Sequence, residues 1–231
     1  QYDYPHFLLF KNDHFDFKPN YNFDMCRLAI TILESMNFEL TDKISGKNMR
    51  ELILRDDDCF EITQSTRRFL ELTKKIPVML AVIPGKVKFN LVSLVKKYPN
   101  VTVVQHGWKH INNADKDKPK FESFDKLDVQ TGKSMLESLF KNQFYPCFVP
   151  PWNKFDGDYK LLYDMGFKKV SDSKNVIDLM KVKDKVVEEL KVLENDTIMT
   201  HHTHKNWDDK CWLCLEVLIE QENIKWKTIK S

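Results

Sequence analysis

The sequence predicts an α/β fold with a mainly parallel sheet. Short Val- and Ile-rich runs take turns with longer segments of helical spacing, which is typical of repeated βα units. The short runs are apolar throughout, as expected for strands covered on both faces. A chain of 231 residues is long enough for one large domain, and a single α/β barrel would fit. These patterns alone do not decide between an open doubly wound sheet and a closed barrel.

The individual elements follow from the same patterns in chain order. We expect strands over 52–54, 78–83, 101–104, 144–149, 167–170 and 197–200. The second of these runs lies between Pro77 and Pro84, which break it on both sides. Helical spacing covers 65–75, 89–98, 132–142, 158–165, 181–193 and 207–219, and 111–120 is the most loop-like stretch.

The first fifty residues have a different character. An aromatic, charge-mixed segment over 1–22 precedes one helical stretch over 23–36. We interpret residues 1–50 as an N-terminal helical extension that packs on a barrel formed by residues 51–231.

The charge and hydropathy of the chain argue against two function classes. Its 36 basic and 34 acidic residues are interspersed, so there is no electrostatic footprint for nucleic acid or for an anionic membrane. No apolar run approaches the roughly 20 residues that a membrane span needs. We therefore expect neither a nucleic-acid partner nor a membrane span.

The cysteines form a sparse and odd set of five: Cys26, Cys59, Cys147, Cys211 and Cys214. Such a set is unlike a disulfide framework, so reduced thiols are expected. Together with the lack of a leader pattern at Gln1, this favours the cytoplasm while leaving the compartment open. Cys211 and Cys214 have CxxC spacing that zinc could use, but their place on an amphipathic segment favours core packing.

Polar residues with metal-binding or catalytic chemistry directly follow four predicted strands. They are Asp56 to Asp58, His106, Pro150 to Asn153, and His201. The active sites of α/β folds gather at the carboxyl ends of their strands. Taken singly, Asp58 could be a helix N-cap and the histidines could be buried structural residues. Their combination favours a shared site.

His106 and His110 are the most informative pair. They lie four positions apart beside Gly107, and two imidazoles at this spacing can bind one metal ion. An aspartate from the 56–58 run would complete a His-His-Asp triad.

The motifs together resemble the polysaccharide deacetylase superfamily, also called the NodB homology or carbohydrate esterase family 4 superfamily. The matching segments, in order, are Arg-Asp-Asp-Asp-Cys at 55–59, His-Gly-Trp-Lys-His at 106–110, Val-Pro-Pro-Trp-Asn at 149–153 and Ile-Met-Thr-His-His at 198–202. The resemblance covers about residues 50 to 205. It implies a distorted (β/α) barrel of about seven strands and metal-dependent removal of an acyl group from an N-acylated sugar.

The resemblance also implies a metal site. It places the metal ligands on Asp58, His106 and His110. The cofactor is then a divalent ion, with Zn²⁺ first and Co²⁺, Ni²⁺, Mn²⁺ or Fe²⁺ also compatible with mixed nitrogen and oxygen ligands.

The catalytic pair implied by the resemblance is Asp57 as base and His201 as acid. A shift of one residue would make Asp56 and Asp57 the aspartate pair instead. His202 and His204 lie close enough in sequence to compete with His201 for the acid role.

Several further residues are assigned by the same resemblance. Asp172 is a candidate for orienting the catalytic histidine. The predicted substrate-binding residues are Pro151, Trp152, Asn153 and Trp108. The two tryptophans could offer an apolar face to a sugar ring, and core packing is an equally open interpretation of both.

The chain also departs from the family pattern. The family commonly has an arginine before the prolines, where this chain has Val149, and Arg55 is a candidate to replace it. Glu122 could lie near the site, although a solvated loop is the favoured interpretation of its segment. These departures keep two alternatives open: a catalytically degenerate sugar-binding or regulatory domain, and a metal hydrolase of a small amide or ester.

Overall fold

The computed structural model describes residues 50–112, 122–174, 176–183, 197–222 and 224–230. The predicted extension 1–50 lies outside these residues except for Arg50. The same holds for Cys26 and for most of the predicted loop 111–120 and helix 181–193.

The described ranges contain eight strands and six α-helices. The strands are β1 (Arg50–Cys59), β2 (Val78–Val82), β3 (Val101–His106), β4 (Phe144–Val149), β5 (Lys169–Val170), β6 (Val176–Asp178), β7 (Thr197–Thr200) and β8 (Ile224–Trp226). The helices are α1 (Gln64–Leu72), α2 (Phe89–Val95), α3 (Lys126–Phe140), α4 (Tyr159–Asp164), α5 (Leu179–Val182) and α6 (Asp209–Ile219). Three 3₁₀ turns accompany them, at Pro84–Lys86, Lys141–Gln143 and Pro151–Asn153.

The strands form one parallel sheet in the order β5-β4-β3-β2-β1-β7-β6, and β8 pairs with the start of β1. Seven strands in this order, with helices along the outside, make a distorted (β/α) barrel. The predicted α/β class and the barrel of about seven strands are confirmed.

Alternate residues of the central strands serve two separate cores. On β2, Val78 and Leu80 belong to the large core beneath the helices, while Met79 and Ala81 belong to a smaller core on the opposite face of the sheet. Successive strand residues point to opposite faces, and here both faces are covered. This is why the strands read as continuous apolar runs in the sequence.

The main difference from the predicted elements is the length of β1. The prediction ended this strand at residue 54, but it continues to Cys59 through Arg55 and three aspartates. Arg55, Asp56 and Asp57 are nevertheless buried, because each has a charged or hydrogen-bonding partner inside the fold.

Smaller differences concern short or polar elements. The three-residue strands β6 and β8 were not predicted, because runs so short carry no periodic signal. Helix α3 begins at Lys126 rather than residue 132, because the Asp125 side chain accepts a hydrogen bond from Asp128 N and caps a polar first turn.

The four cysteines in the described ranges are buried and form no disulfide with one another. Cys211 and Cys214 lie on α6 and pack in the large core, while Cys59 and Cys147 lie on strands. Within the same ranges, every helix is too short or too polar to reach across a bilayer.

Candidate active site

The candidate residues lie on neighbouring parallel strands or directly after them. Asp57 and Asp58 belong to β1, His106 ends β3, and His201 follows β7. Strand β2 lies between β1 and β3, and β7 is the other neighbour of β1. The carboxyl ends of parallel strands share one edge of the sheet, so these side chains meet there.

A β-bulge brings two adjacent aspartates to the same site. Along β1, Leu52 and Leu54 pack in the large core, and Ile53 packs on the opposite face. Regular alternation would send Asp57 and Asp58 to opposite faces as well. The pairing with β2 shifts between Asp56 and Cys59, and Asp58 has φ 66°, in the left-handed region. The bulge thereby turns Asp58 back toward the histidines.

Asp58 and two histidines form a tight group. Asp58 Oδ1 lies 3.2 Å from His106 Nε2 and 3.0 Å from His110 Nε2. One ligand atom from each of the three residues lies within 4.8 Å of the others. Asp58 Oδ1 is buried and accepts no aligned hydrogen bond from the described residues. Three possible metal-ligand atoms therefore point at one another without aligned hydrogen bonds between them. This arrangement fits a cation bound between the three atoms.

His106 is oriented by a backbone carbonyl. Its Nδ1 lies 3.0 Å from Val149 O. A carbonyl oxygen only accepts hydrogen bonds, so Nδ1 carries a proton and Nε2 is the ring nitrogen that faces Asp58. A ring nitrogen fixed in this way is the usual outer support of a metal-binding histidine.

The surroundings of Asp58 and His110 favour the protonation states in which these side chains can bind a metal ion. Burial raises the pKa of the Asp58 carboxyl, but the contacts with His106 and His201 outweigh it and hold this pKa well below its usual range. Burial and the neighbouring His106 lower the pKa of His110 to about 4. An ionised carboxylate and a neutral imidazole are the forms that bind metal.

His201 lies on the other side of the Asp58 carboxylate. Its Nδ1 is 3.5 Å from Asp58 Oδ2. Burial lowers the pKa of His201, but the charges of Asp58, Asp57 and Asp178 outweigh it and raise this pKa to about 9. His201 is therefore protonated at neutral pH in the metal-free protein.

Asp178, at the end of β6, was not singled out from the sequence. The predicted orienting acid, Asp172, instead accepts a hydrogen bond from Tyr159 Oη at 3.1 Å. Besides Asp58 and Asp57, the carboxylate that raises the pKa of His201 is that of Asp178, whose strand pairs with β7. A three-residue strand ending in aspartate gave no recognisable motif.

The competing candidates Asp56 and His202 form a separate buried pair. Asp56 Oδ2 lies 2.7 Å from His202 Nδ1, and Asp56 Oδ1 accepts a hydrogen bond from Thr200 Oγ1. The His202 ring stacks on Phe69 of α1 with centroids 4.9 Å apart. Both side chains therefore point toward the helix layer and away from Asp58.

The other competing histidine is His204. Its Nδ1 accepts a hydrogen bond from Asn206 N.

Comparison with known proteins gives matches in structure. No family model and no curated protein matches the sequence. Among solved structures, a mutant of a family 4 carbohydrate esterase pseudoenzyme of Bacillus anthracis, with restored enzymatic activity, matches 79% of this chain at 15% identity and TM-score 0.57. The matched region spans 66% of that chain.

Two further structures match over most of their own length. A peptidoglycan N-acetylglucosamine deacetylase matches 79% of this chain and 86% of its own, at 13% identity and TM-score 0.57. An acetyl xylan esterase of family 4 from Clostridium thermocellum, in complex with a cobalt ion, matches 78% and 89%, at 11% identity and TM-score 0.55. The chain has the fold of carbohydrate esterase family 4.

Arg55 is the candidate from the sequence to replace the arginine that the family commonly has where this chain has Val149. It is fully buried, and its Nη2 donates to Asp57 Oδ2 at 2.9 Å and to Asn153 Oδ1 at 2.6 Å. Its Nη1 donates to Ser171 Oγ at 2.8 Å. Arg55 therefore faces the site and holds one oxygen of Asp57, while the buried Asp57 Oδ1 accepts no hydrogen bond from the described residues.

Removing this buried cation should destabilise the fold. Arg55→Met is expected to lower the free energy of unfolding by about 3–5 kcal/mol, because it leaves the Asp57 carboxylate buried without its counter-charge. Chemical denaturation measures the change. The matched control is Arg68→Met, which breaks an ion pair between Arg68, half-exposed on α1, and Glu216; it should cost no more than about 1 kcal/mol. Equal losses in the two variants would contradict a special role for Arg55.

The loop after β4 brings Trp152 to the candidate metal ligands. Trp152 and Asn153 have φ 55° and 56°, and Trp152 packs on His110 with ring centroids 4.1 Å apart. Pro151 is buried, and the Asn153 side chain is engaged with Arg55. Of these three predicted substrate-binding residues, Trp152 has its ring beside a candidate metal ligand.

The remaining predicted substrate-binding residue, Trp108, lies on the turn between the two histidines. Its carbonyl accepts a hydrogen bond from Gly85 N at 2.8 Å. A Cβ on Gly85 would lie 2.9 Å from that carbonyl oxygen, so the two backbones pack closely.

Glu122 corrects the interpretation of its segment as a solvated loop. Its side chain accepts hydrogen bonds from Trp108 N at 2.9 Å and from Lys109 N at 2.7 Å. The acidic residue is thus tied to the turn that carries His110. The only sequence feature here was a short segment of apolar and acidic residues around residue 122. Such a segment does not show which backbone groups its carboxylate binds.

Proposed function

We propose that the chain is a metal-dependent hydrolase that removes an N-acetyl group from a sugar or polysaccharide. The observation that carries the proposal is the convergence of Asp58, His106 and His110 beside Asp57 and His201. The fold supports it, because neighbours of the same fold include a peptidoglycan N-acetylglucosamine deacetylase and an acetyl xylan esterase with a cobalt ion.

Asp58, His106 and His110 would hold the divalent ion. Two imidazole nitrogens and one carboxylate oxygen suit Zn²⁺ and accept Co²⁺, Ni²⁺, Mn²⁺ or Fe²⁺ as well. When bound, such an ion lowers the pKa of water and polarises a carbonyl. A three-residue protein ligand set leaves room for water and substrate.

Asp57 is proposed as the general base. Its charge raises the pKa of both His106 and His201, which supports a role for this carboxylate beside the ligands and the acid. Arg55 holds Asp57 Oδ2, so Oδ1 is left to accept the proton of the attacking water. A positioned base of this kind contributes about 10²- to 10⁴-fold to rate.

His201 is proposed as the general acid. Its Nδ1 faces Asp58, so Nε2 is the ring nitrogen left for the substrate. The water oxygen bonds to the acyl carbon, the C–N bond breaks, and His201 gives its proton to the departing nitrogen. The products are acetate and a free amine.

The substrate would lie over Trp152. The Trp152 ring beside His110 offers an apolar face to a sugar ring, and a backbone N–H near Trp152 could stabilise the oxyanion. Pro151, Asn153 and Trp108 remain proposed substrate-binding residues around it.

The test is release of acetate by the purified protein. With Zn²⁺ or Co²⁺ added, we expect acetate from N-acetylated oligosaccharides, and none after removal of the metal by a chelator. Acetylated xylan and small acetylated amides and esters complete the panel and distinguish a hydrolase of small molecules. Release that persists unchanged after chelation would contradict metal dependence.

The alternative is a catalytically degenerate sugar-binding or regulatory domain. It is favoured by Val149 in place of the usual arginine, and one matching structure is described as a family 4 pseudoenzyme. The contact between Arg55 and Asp57 supports the enzyme instead. Binding of an N-acetylated oligosaccharide without acetate release from any member of the panel would favour the alternative.

A further inference from the structure

The position of His110 depends on its backbone. His106 is held through its own ring by Val149 O. For the His110 ring, the described part of the chain shows no comparable backbone hydrogen bond. This ring contacts Asp58 at 3.0 Å and the rings of His106 and Trp152. Whatever fixes the turn over residues 107–110 therefore decides where His110 Nε2 points.

Glu122 binds this turn alongside two backbone hydrogen bonds, from Gly107 N to Val149 O and from Gly85 N to Trp108 O. One carboxylate oxygen accepts from Trp108 N at 2.9 Å, and the other accepts from Lys109 N at 2.7 Å. Successive backbone N–H groups in a turn form a concave site for an anion, and hydrogen bonds to a carboxylate are stronger than neutral ones. Both oxygens are used, so an amide at this position could make only one of the two bonds.

Gly107 shows how closely Glu122 packs on the turn. Its φ of 57° lies in the left-handed region, which favours glycine. A Cβ at Gly107 would lie 2.3 Å from Glu122 Oε2 and 2.4 Å from Pro151 Cγ. The turn is therefore enclosed between the Glu122 carboxylate and the Pro151 ring.

We propose that Glu122 is a positioning residue of the metal centre. Its carboxylate fixes the 107–110 turn so that His110 Nε2 faces Asp58 Oδ1. The inference rests on the proposed metal-dependent function and adds a residue from a segment outside the strands. Glu122 acts through His110 and touches neither metal nor substrate.

The experiment measures Co²⁺ binding by calorimetry and by visible absorption, in the wild type and in Glu122→Ala and Glu122→Gln. Loss of an outer support weakens metal binding by about 10- to 100-fold, and we expect a decrease of this size for Glu122→Ala. The Co²⁺ absorption bands should change as well, because they report the ligand set. Glu122→Gln, which keeps one acceptor oxygen, should bind with intermediate affinity.

A double-mutant cycle tests whether Glu122 acts through His110. In a His110→Ala background, Glu122→Ala should change Co²⁺ affinity little, because the histidine that it positions is gone. The matched control is Asp156→Ala, which removes a carboxylate that accepts a hydrogen bond from Phe124 N at 2.8 Å, near Glu122 but away from the turn. It should bind Co²⁺ like the wild type, and circular dichroism verifies that each variant is folded.

Two results would overturn the inference. One is a folded Glu122→Ala with wild-type affinity and absorption bands; the other is an equal loss of affinity with and without His110. A wild type that binds no Co²⁺ would overturn the metal site itself and the role of Glu122 with it. That outcome is distinguishable from one in which the wild type binds and Glu122 has no effect.

Discussion

The Asp58→Ala variant should bind Co²⁺ and Zn²⁺ more than about 100-fold more weakly than the wild type, because losing a ligand exceeds the 10- to 100-fold cost of losing an outer support. Asp58 Oδ1 faces both His106 Nε2 and His110 Nε2, so it supplies the anionic member of the proposed ligand set. His106→Ala should lose metal in the same way. Metal content after purification and a Co²⁺ titration measure both variants.

The controls separate the ligand from the backbone around it. Asp58→Asn keeps the shape of the side chain but removes its charge, so it should also lose affinity. Asp172→Asn changes a carboxylate that pairs with Tyr159 and should bind metal normally. If Asp58→Ala retains wild-type metal content, Asp58 is not a ligand. A metal-free wild type would remove the basis of the proposed function.

Asp57→Asn should retain metal and lose acetate release by about 10²- to 10⁴-fold, the usual contribution of a general base. Asp57 lies outside the ligand group, and an amide cannot take the proton of the attacking water. Co²⁺ affinity and kcat/KM for an N-acetylated oligosaccharide measure the two effects separately. The substitution also leaves Arg55 without its counter-charge, so unfolding must be followed to assay only folded protein.

The Asp56→Asn variant is the matched control for Asp57→Asn. Asp56 is adjacent in sequence, but it pairs with His202 on the helix side of the sheet. Its replacement should leave the proton-transfer step in place. Comparable kcat/KM for Asp57→Asn and the wild type would exclude Asp57 as the base, and a selective loss in Asp56→Asn would point to the shifted pairing.

The strands that the sequence predicted best are those whose ends depend on local residues. The predicted ranges 144–149 and 197–200 coincide with β4 and β7. The end of β1 was wrong because burial of Arg55 depends on Asn153 and Ser171, far along the chain. A run of charged residues is predicted to be a loop unless the distant residues that form hydrogen bonds or ion pairs with it are known.

The candidate site was predictable to a similar degree. The spacing of His106 and His110 and their order after Asp58 pointed to the group that the structure brings together. The contribution of Asp178 was not predicted, and Glu122 was placed near the site only as the less favoured alternative. Each depends on where a short strand or a loop lies in space. The sequence favoured the pair Asp57 and Asp58 but left the pair Asp56 and Asp57 open, because the bulge that changes the side of Asp58 has no sequence signal.

The bulge at Asp58 limits which residues evolution or a mutant library can accept at this position. Its φ of 66° is readily adopted by glycine, asparagine and aspartate, and is costly for branched or bulky side chains. Of these three residues, only aspartate provides an anionic ligand. Swapping in glutamate, a good metal ligand in itself, would strain the backbone, because its longer side chain is rarely found at such a φ. Position 58 thus requires both a negatively charged side chain and a residue that tolerates a positive φ.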